Sequence, residues 1–399
     1  MKTKKVFKDV FINLIAASIC TAALNLVVYP IFANRYTTED YGNILTLIGV
    51  INLLWAVLGN TLNNTRLVLN RNRECNNESG TYNLIIMIVS VLGGIISVVI
   101  MSFFAIKTLI STILVFLTVV VGIARVYYVV SYRLKLDYIA QLKTNIIVST
   151  GYIAGALITH SINWWPLPLL LGEGIAFIYT INKGTLISEP FCLADNQKIV
   201  LSTYSDLIIT GLIGNIIAYF DRFLINPLLG ASSVAIFSVA AFWGKAVTPF
   251  ISPTANVMLS YLSQKDSKIT LRKYLILFFS SVIPLLLFGV IGIWGAPLIT
   301  RLLYPSLIES SMPYIFIASM GSLAQSSTLL LMPVLLSVCS SRKILVIQII
   351  YFIIYLIIAY IGACTYGLMG FCIATCIIGV IKTVLYFAFG YFELRNAVL

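Results

Sequence analysis

Long apolar runs alternate with short polar turns along the whole chain of 399 residues. Runs such as 82–105 and 366–389 are long enough to cross the hydrocarbon core of a bilayer, which takes about 20 helical residues. The backbone finds no water in that core, so a spanning segment must be a helix or part of a closed barrel. Because these runs lack the polar alternation of barrel strands, the pattern predicts an all-α polytopic membrane protein.

Twelve transmembrane helices fit this pattern, six in each half of the chain. The predicted spans are 11–33, 42–62, 82–105, 109–130, 144–162 and 165–183, followed by 204–226, 234–258, 272–295, 312–338, 344–362 and 366–390. The stretch between the two sets contains Pro190 and breaks the apolar pattern. The pattern therefore predicts an N-terminal six-helix lobe at 1–183, an inter-lobe linker at 184–203 and a C-terminal six-helix lobe at 204–399, with a central cleft.

Basic residues are distributed unevenly around the predicted spans. Nineteen of the 26 lysines and arginines fall in the two termini and in the loops on the same side as the termini, whereas the opposite loops contain four. Cytoplasmic loops carry such an excess, so both termini are predicted to be cytoplasmic. The net charge of +12 is thereby explained without nucleic acid, and the lipid bilayer is the expected surrounding.

Residues for catalysis are scarce in this sequence. His160 is the single histidine, the seven cysteines form no CxxC pair, and no glycine-rich nucleotide-binding motif occurs. These features predict no metal, no cofactor and no catalytic centre. A transporter is therefore favoured over an enzyme.

Polar side chains inside the predicted spans carry the functional information, because charges cost several kcal/mol there and normally face a cavity or a partner. Lys245, Thr248 and Ser252 recur at helical spacing on one face of the eighth span. Packing of helices through small and polar residues is the alternative interpretation of such stripes. The candidate binding residues from this pattern are Lys245, Thr248, Ser252, Asn52, Asn63, Arg66 and Gln325.

Amides, hydroxyls and basic groups together indicate the chemistry of the substrate. Amides and hydroxyls can hydrogen-bond many sugar hydroxyls at once, and lysine or arginine can bind a phosphate or pyrophosphate. A wide, wet cleft that binds a sugar joined to phosphate is the resulting prediction.

Two segments resemble the polysaccharide transporter family, the Wzx-type flippases of O-antigen and capsule repeat units in the MOP (multidrug/oligosaccharidyl-lipid/polysaccharide) exporter superfamily. The first is YPIFANRYTTEDYGNILTLIG, residues 29–49, which is similar to the family's first-loop pattern. The second is DRFLINPLLGASSVAIFSVA, residues 221–240, which is similar to the run that opens the second lobe. It departs from the family pattern at Ala235, where glycine is usual, and at Phe237, where tyrosine is usual.

The resemblance implies alternating access that moves an undecaprenyl-pyrophosphate-linked oligosaccharide across the bacterial cytoplasmic (inner) membrane for surface polysaccharide synthesis. It also implies that Arg35, Asp221, Arg222 and Lys245 are cleft cations and their partners. A polysaccharide polymerase and glycosyltransferases are further expected partners. If an ion gradient drives transport, Glu173 and Asp206 are the candidate coupling carboxylates.

Three other functions fit a polytopic chain. A cation-coupled small-molecule exporter of the MATE type would be expected to have a carboxylate-rich cleft for cationic drugs, whereas the predicted cleft here is basic. A polysaccharide polymerase or ligase would be expected to have a large outer loop, and the outer loops here are short. A lipid II flippase typically has two more spans than the twelve predicted.

Overall fold

The computed structural model of this chain describes residues 12, 15–16, 18–71, 80–135, 137–193, 197–249, 251, 255, 270–338 and 341–396. Within these ranges the regular structure is helical and contains no strand. The chain divides into two compact units, Met1–Phe223 and Leu224–Leu399. The division lies inside a helix and not in a loop, and the linker predicted at 184–203 stays a prediction.

In the first unit, helices occupy the described part of each segment predicted as a span. A helical stretch at 18–23 continues through the short π-helix Leu24–Val28 into the first helix of the unit. A second π-helix, Trp55–Asn60, joins the helices Thr38–Leu54 and Thr61–Arg71. The helices are α1 Tyr29–Arg35, α2 Thr38–Leu54, α3 Thr61–Arg71, α4 Thr81–Met101, α5 Leu109–Tyr128, α6 Val130–Lys135, α7 Tyr138–Ser161, α8 Leu167–Lys183 and α9 Gln197–Leu229. The last of them, α9, continues into the second unit.

The second unit also consists of helices. They are α10 Ala231–Ala240, α11 Phe242–Lys245, α12 Leu271–Leu303, α13 Ile308–Ser311, α14 Ile315–Ser326, α15 Met332–Val338 and α16 Ser341–Asn396. Part of the eighth predicted span, 234–258, lies outside the described residues, and so does Ser252 of its polar stripe.

Six of the described helical stretches are long and apolar enough to cross a membrane, and the bent helix α9 would make a seventh. Several carry rows of exposed apolar side chains, such as Ile88, Leu92, Ile95 and Val99 on α4, that would face lipid. Three of the five missing spans are explained because α8 has 17 residues, α10 has ten and α16 is one continuous helix of 56 residues. An all-helical membrane protein is what the structure supports, and the count of twelve spans stays a prediction.

Helix α16 contains the last two predicted spans in one assignment. At 1.5 Å per residue its 56 residues would extend about 84 Å, far more than a bilayer core of about 30 Å. The helix breaks at Tyr366 and at Gly367, where φ is +60°. A Cβ atom built on Gly362 would lie 2.6 Å from the carbonyl oxygen of Gly370, so the two halves fold back on each other at this glycine-rich turn.

Both segments that carry the family resemblance are joints between helices. In the first, the Thr37 hydroxyl accepts a hydrogen bond of 3.1 Å from the amide of Asp40 and so caps the start of α2. In the second, Gly230 lies between α9 and α10 with φ of +83°, a conformation that favours glycine. The shared residues therefore build turns of the fold.

Helices α7 and α8 pack through glycines that bring their backbones together. A Cβ atom on Gly151 would lie 2.5 Å from the Cα atom of Gly172, and one on Gly155 would overlap Pro168. This close packing positions the buried residues that α8 contributes to the site described below.

We predict that Gly172→Ala destabilises the protein while Gly174→Ala does not. A methyl group at Gly172 would collide with Tyr152 and the backbone of Val148, whereas one at Gly174 meets no atom within 4 Å. Overpacking of this kind costs about 1–3 kcal/mol, and alanine at the open position gains up to about 1 kcal/mol in helix propensity. Thermal unfolding in detergent should show a lower midpoint for the first variant only. Equal midpoints would contradict the packing of α7 on α8.

Candidate functional site

A polar cavity of about 500 Å³ lies inside the first unit. The π-helix Trp55–Asn60 and α3 form one side of it, α5 and α6 form another, and α7 forms the third. Two guanidinium groups, four side-chain amides and a phenol make up most of its wall. The lining residues are Asn60, Asn63, Leu67, Arg125, Val126, Val129, Arg133, Tyr138, Gln141 and Asn145. We call it the arginine–amide cavity.

Arg133 is a positively charged residue of this cavity, and its hydrogen-bond partners are neutral. Its Nη1 atom donates to the Oδ1 atoms of Asn63 and Asn64 at 2.7 and 2.9 Å. In the part of the chain that the structure describes, no carboxylate lies within ion-pair distance of this guanidinium. Among the described residues, this guanidinium is therefore a cation without a compensating carboxylate.

Arg125 is the second cation of the cavity, and its charge is compensated. Its Nε and Nη2 atoms bind the two carboxylate oxygens of Glu173 at 2.5 and 3.0 Å, and the Tyr152 hydroxyl donates to the same carboxylate at 2.6 Å. Glu173 is fully buried. Three helices, α5, α7 and α8, are thus joined behind the cavity wall by one ion pair.

Arg66 binds the segment that follows α8. Its guanidinium contacts both carboxylate oxygens of Glu189 at 2.5 and 3.0 Å and donates to the Tyr127 hydroxyl at 2.7 Å. The same group lies 4.9 Å from the centre of the Tyr82 ring. Nearby, the Asn83 amide donates to the carbonyl of Glu189. These contacts hold the residues after Lys183 against α3 and α4.

Asp221 and Arg222 attach α9 to the first unit. The Arg222 Nη1 atom donates to the carbonyl of Leu45 in α2 at 2.7 Å, and the Asp221 carboxylate accepts from the Arg222 amide at 2.9 Å. Further along α9, the Tyr204 hydroxyl donates to the carbonyl of Leu58. On the same helix, Asp206 is exposed.

Arg35 lies far from the arginine–amide cavity. Its guanidinium donates to the carbonyl of His160 at the end of α7. Arg66 follows it by 31 residues, and most of that distance is the continuous helix Thr38–Asn70. At 1.5 Å per residue the separation is about 40 Å, so the structure does not bring Arg35 and Arg66 together. Asn52 is half-buried between them on α2.

The other predicted residues lie in the second unit. Lys245 Nζ is 5.2 Å from the centre of the Phe237 ring, and the hydroxyls of Thr248 and Ser326 are 3.1 Å apart. The Tyr351 hydroxyl donates to the Gln325 side chain at 3.4 Å. The structure therefore places the predicted residues in several separate clusters.

Several cavity residues were not predicted from the sequence. In the sequence, Arg133 lies in a predicted loop and only adds to the excess of cytoplasmic charges. No pattern singles out Asn60, Gln141 and Asn145. The usable signal was helical spacing, because 125, 129 and 133 recur every four residues and 138, 141 and 145 share one face of α7. The sequence does not show that these two helix faces and Asn63 meet in the folded chain.

No protein-family model and no curated protein matches this chain. Solved structures do match over nearly its whole length. They define a class of multi-pass helical membrane proteins, and one of them is described as a transporter of the MOP superfamily.

Two kinds of transporter stand out among these structures. Lipid II flippase MurJ, in an inward closed conformation, gives a TM-score of 0.66 at 17% identity, covering 98% of this chain and 89% of that one. A MATE transporter in complex with MaD5 gives 0.66 at 13% identity, covering 98% and 96%. The Vibrio cholerae MATE transporter VcmN, in the bent form, gives 0.62 at 12% identity, covering 98% and 97%.

At these identities the likeness establishes the fold, and this chain is a multi-pass helical membrane protein of that fold. The predicted class of structure is confirmed at this level. The Wzx-type family, the substrate and the predicted binding residues are finer statements, which the likeness does not decide.

We predict that Arg125 and Glu173 are energetically coupled. Removing one charge leaves the other buried and unpaired, which costs about 3–5 kcal/mol, whereas removing both restores part of that loss. Arg125→Met and Glu173→Gln should each lower the unfolding midpoint strongly, and the double variant should lose clearly less than their sum. Losses that simply add would show that the two charges do not depend on each other.

Proposed function

We propose that this chain is a flippase that moves an undecaprenyl-pyrophosphate-linked oligosaccharide repeat unit across the bacterial cytoplasmic membrane by alternating access. The observation that carries the proposal is the arginine–amide cavity with the uncompensated charge of Arg133. The likeness to MurJ supports it, since that protein is named as a flippase of a lipid-linked substrate.

The pyrophosphate is the part of such a substrate that needs a cation. A guanidinium group presents paired donors that match phosphate oxygens, and its charge-assisted hydrogen bonds are stronger than neutral ones. Arg133 is held in place by Asn63 and Asn64, so little side-chain freedom is lost when an anion binds. Its position at the predicted cytoplasmic end suits a substrate that enters from that side.

The sugar is the part that needs amides. Asn60, Gln141 and Asn145 line the cavity beside the arginines, and amide groups both donate to and accept from hydroxyls. Repeat-unit sugars would be recognised there, while the polyprenyl chain stays in the bilayer. Surface polysaccharide synthesis, as O-antigen or capsule, would follow, with a polymerase and glycosyltransferases as partners.

Alternating access requires more than one conformation of the fold. Structures of this fold are described in an inward closed form for MurJ and in an inward-facing form for a MATE transporter. In this chain the remaining predicted residues, Arg35, Arg222 and Lys245, would meet substrate at other stages of transport. Asp206, which is exposed, and Glu173, which is buried, are the proposed coupling carboxylates.

A cation-coupled exporter of the MATE type is the second candidate. Two observations favour it: MATE structures match as well as MurJ does, and the first unit contains a fully buried carboxylate, Glu173. That carboxylate is bound to Arg125, so it does not offer a free negative charge to a cationic drug. The arginine–amide cavity would repel such a substrate.

The decisive test is binding of undecaprenyl pyrophosphate to the purified chain in detergent. We expect Arg133→Ala to weaken binding by about 10- to 100-fold, because charge-assisted hydrogen bonds contribute about 1.5–3 kcal/mol. Arg133→Lys should lose less, and Arg272→Ala, an exposed arginine on the same predicted side, should bind as the unmodified chain does.

Undecaprenol, which lacks the pyrophosphate, is the matched control ligand. Equal affinity for the alcohol and the pyrophosphate would overturn the proposal. So would unchanged affinity in Arg133→Ala. Efflux of a cationic dye by the reconstituted chain, with no pyrophosphate binding, would establish the exporter instead.

A further inference from the structure

A second pocket, of about 250 Å³, lies in the first unit between α6, α7 and α8. Three of its lining residues are lysines. The residues that matter here are Ser131, Lys135, Asp137, Lys143, Tyr179 and Lys183. We call it the lysine pocket.

The lysine pocket is separate from the arginine–amide cavity. Helix α7 lies between them, with Gln141 and Asn145 lining the cavity and Lys143 lining the pocket from another face. Residues 143 and 141 point about 200° apart around a helix of 3.6 residues per turn. A ligand in one site therefore does not occupy the other.

The charge of the lysine pocket is strongly positive. Lys135, Lys143 and Lys183 are exposed at its rim. Its single carboxylate, Asp137, accepts a hydrogen bond of 2.9 Å from the amide of Ala140 and caps the start of α7. Three ammonium groups thus face one carboxylate that already has a structural role.

One of the lining residues, Ser131, has a buried hydroxyl that indicates a ligand independently of the lysines. The Ser131 oxygen is buried with no hydrogen-bond partner among the described residues. An unsatisfied buried polar group costs about 1–3 kcal/mol, so such a group normally has a partner. An anionic oxygen in the pocket would accept a hydrogen bond from this hydroxyl.

Apolar side chains continue from the pocket along the same helices. Ile139, which lines the pocket, and Ile146 are 52% and 42% exposed on α7, and Ile175 and Ile178 are 50% and 61% exposed on α8. In a membrane protein such a surface faces acyl chains. The pocket therefore joins a basic, hydroxyl-bearing recess to a lipid-facing surface at the predicted cytoplasmic end.

We propose that the lysine pocket binds the headgroup of an anionic phospholipid from the cytoplasmic leaflet, with its acyl chains along α7 and α8. Basic pockets between transmembrane helices on the cytoplasmic side recognise such headgroups. The site does not depend on which substrate the protein carries. It does bear on Arg133, because the six-residue helix α6 contributes Ser131 and Lys135 to the pocket and Arg133 to the cavity.

The test is thermal stabilisation of the purified full chain by dioctanoyl phosphatidylglycerol, compared with dioctanoyl phosphatidylcholine and inorganic phosphate. We expect a concentration-dependent rise in unfolding midpoint with phosphatidylglycerol, and little change with the other two. Lys143→Gln should weaken the apparent affinity by roughly fivefold, since each basic residue near an anionic headgroup contributes about 1 kcal/mol. The triple variant K135Q/K143Q/K183Q should lose the effect.

A matched control is K198Q/R272Q/K273Q, which removes the same charge from exposed residues on the same predicted side. This variant should keep the response to phosphatidylglycerol. Ser131→Ala, a small change, should weaken it without lowering the midpoint measured in phosphatidylcholine. Loss of the response in the control triple, or an equal response to inorganic phosphate or phosphatidylcholine, would overturn the lipid assignment.

Discussion

The energetic cost of a charge inside a bilayer is the constraint on which this structure depends. An ion in that setting needs either an opposite charge or a polar recess, and the first unit contains both solutions. Arg125 and Glu173 neutralise each other across three helices, with Tyr152 completing the carboxylate's hydrogen bonds. Arg133 instead has neutral amide partners and a cavity to face. The difference between these two arginines separates structural charge from charge available to a ligand.

That division accounts for the roles of the surrounding helices. Close glycine packing of α7 on α8 brings the Tyr152 hydroxyl within reach of the Glu173 carboxylate, so this helix pair helps to decide where the buried carboxylate lies. The ion pair in turn holds α5 against these helices, and α5 leads directly into α6 and Arg133. The geometry of the cavity therefore depends on a carboxylate, Glu173, that is fully buried behind its wall.

Sequence patterns predicted the helices well and the site only in part. Apolar runs locate helices because a bilayer demands about 20 apolar residues, and helices occupy the described parts of the predicted segments from α2 to α16. The site depends on pairs such as Arg125 with Glu173 and Arg133 with Asn63, which are 48 and 70 residues apart. Spacing along one helix shows which residues share a face of that helix. It does not show which face of another helix packs against it. Depth was easier to predict, since the predicted span 42–62 separates Arg35 from Arg66, and the two lie about 40 Å apart.

The boundary between the two compact units falls within α9, after Phe223, and this has a mechanical consequence. A loop would be a flexible connection, whereas a hydrogen-bonded helix resists stretching and twisting. Arg222, one residue before the boundary, ties this helix to α2, and four residues beyond the boundary Pro227 removes one backbone donor from the helix. Pro227 therefore weakens the helix just past its attachment to α2, in addition to the 43° bend that the helix already has between Ile209 and Gly214.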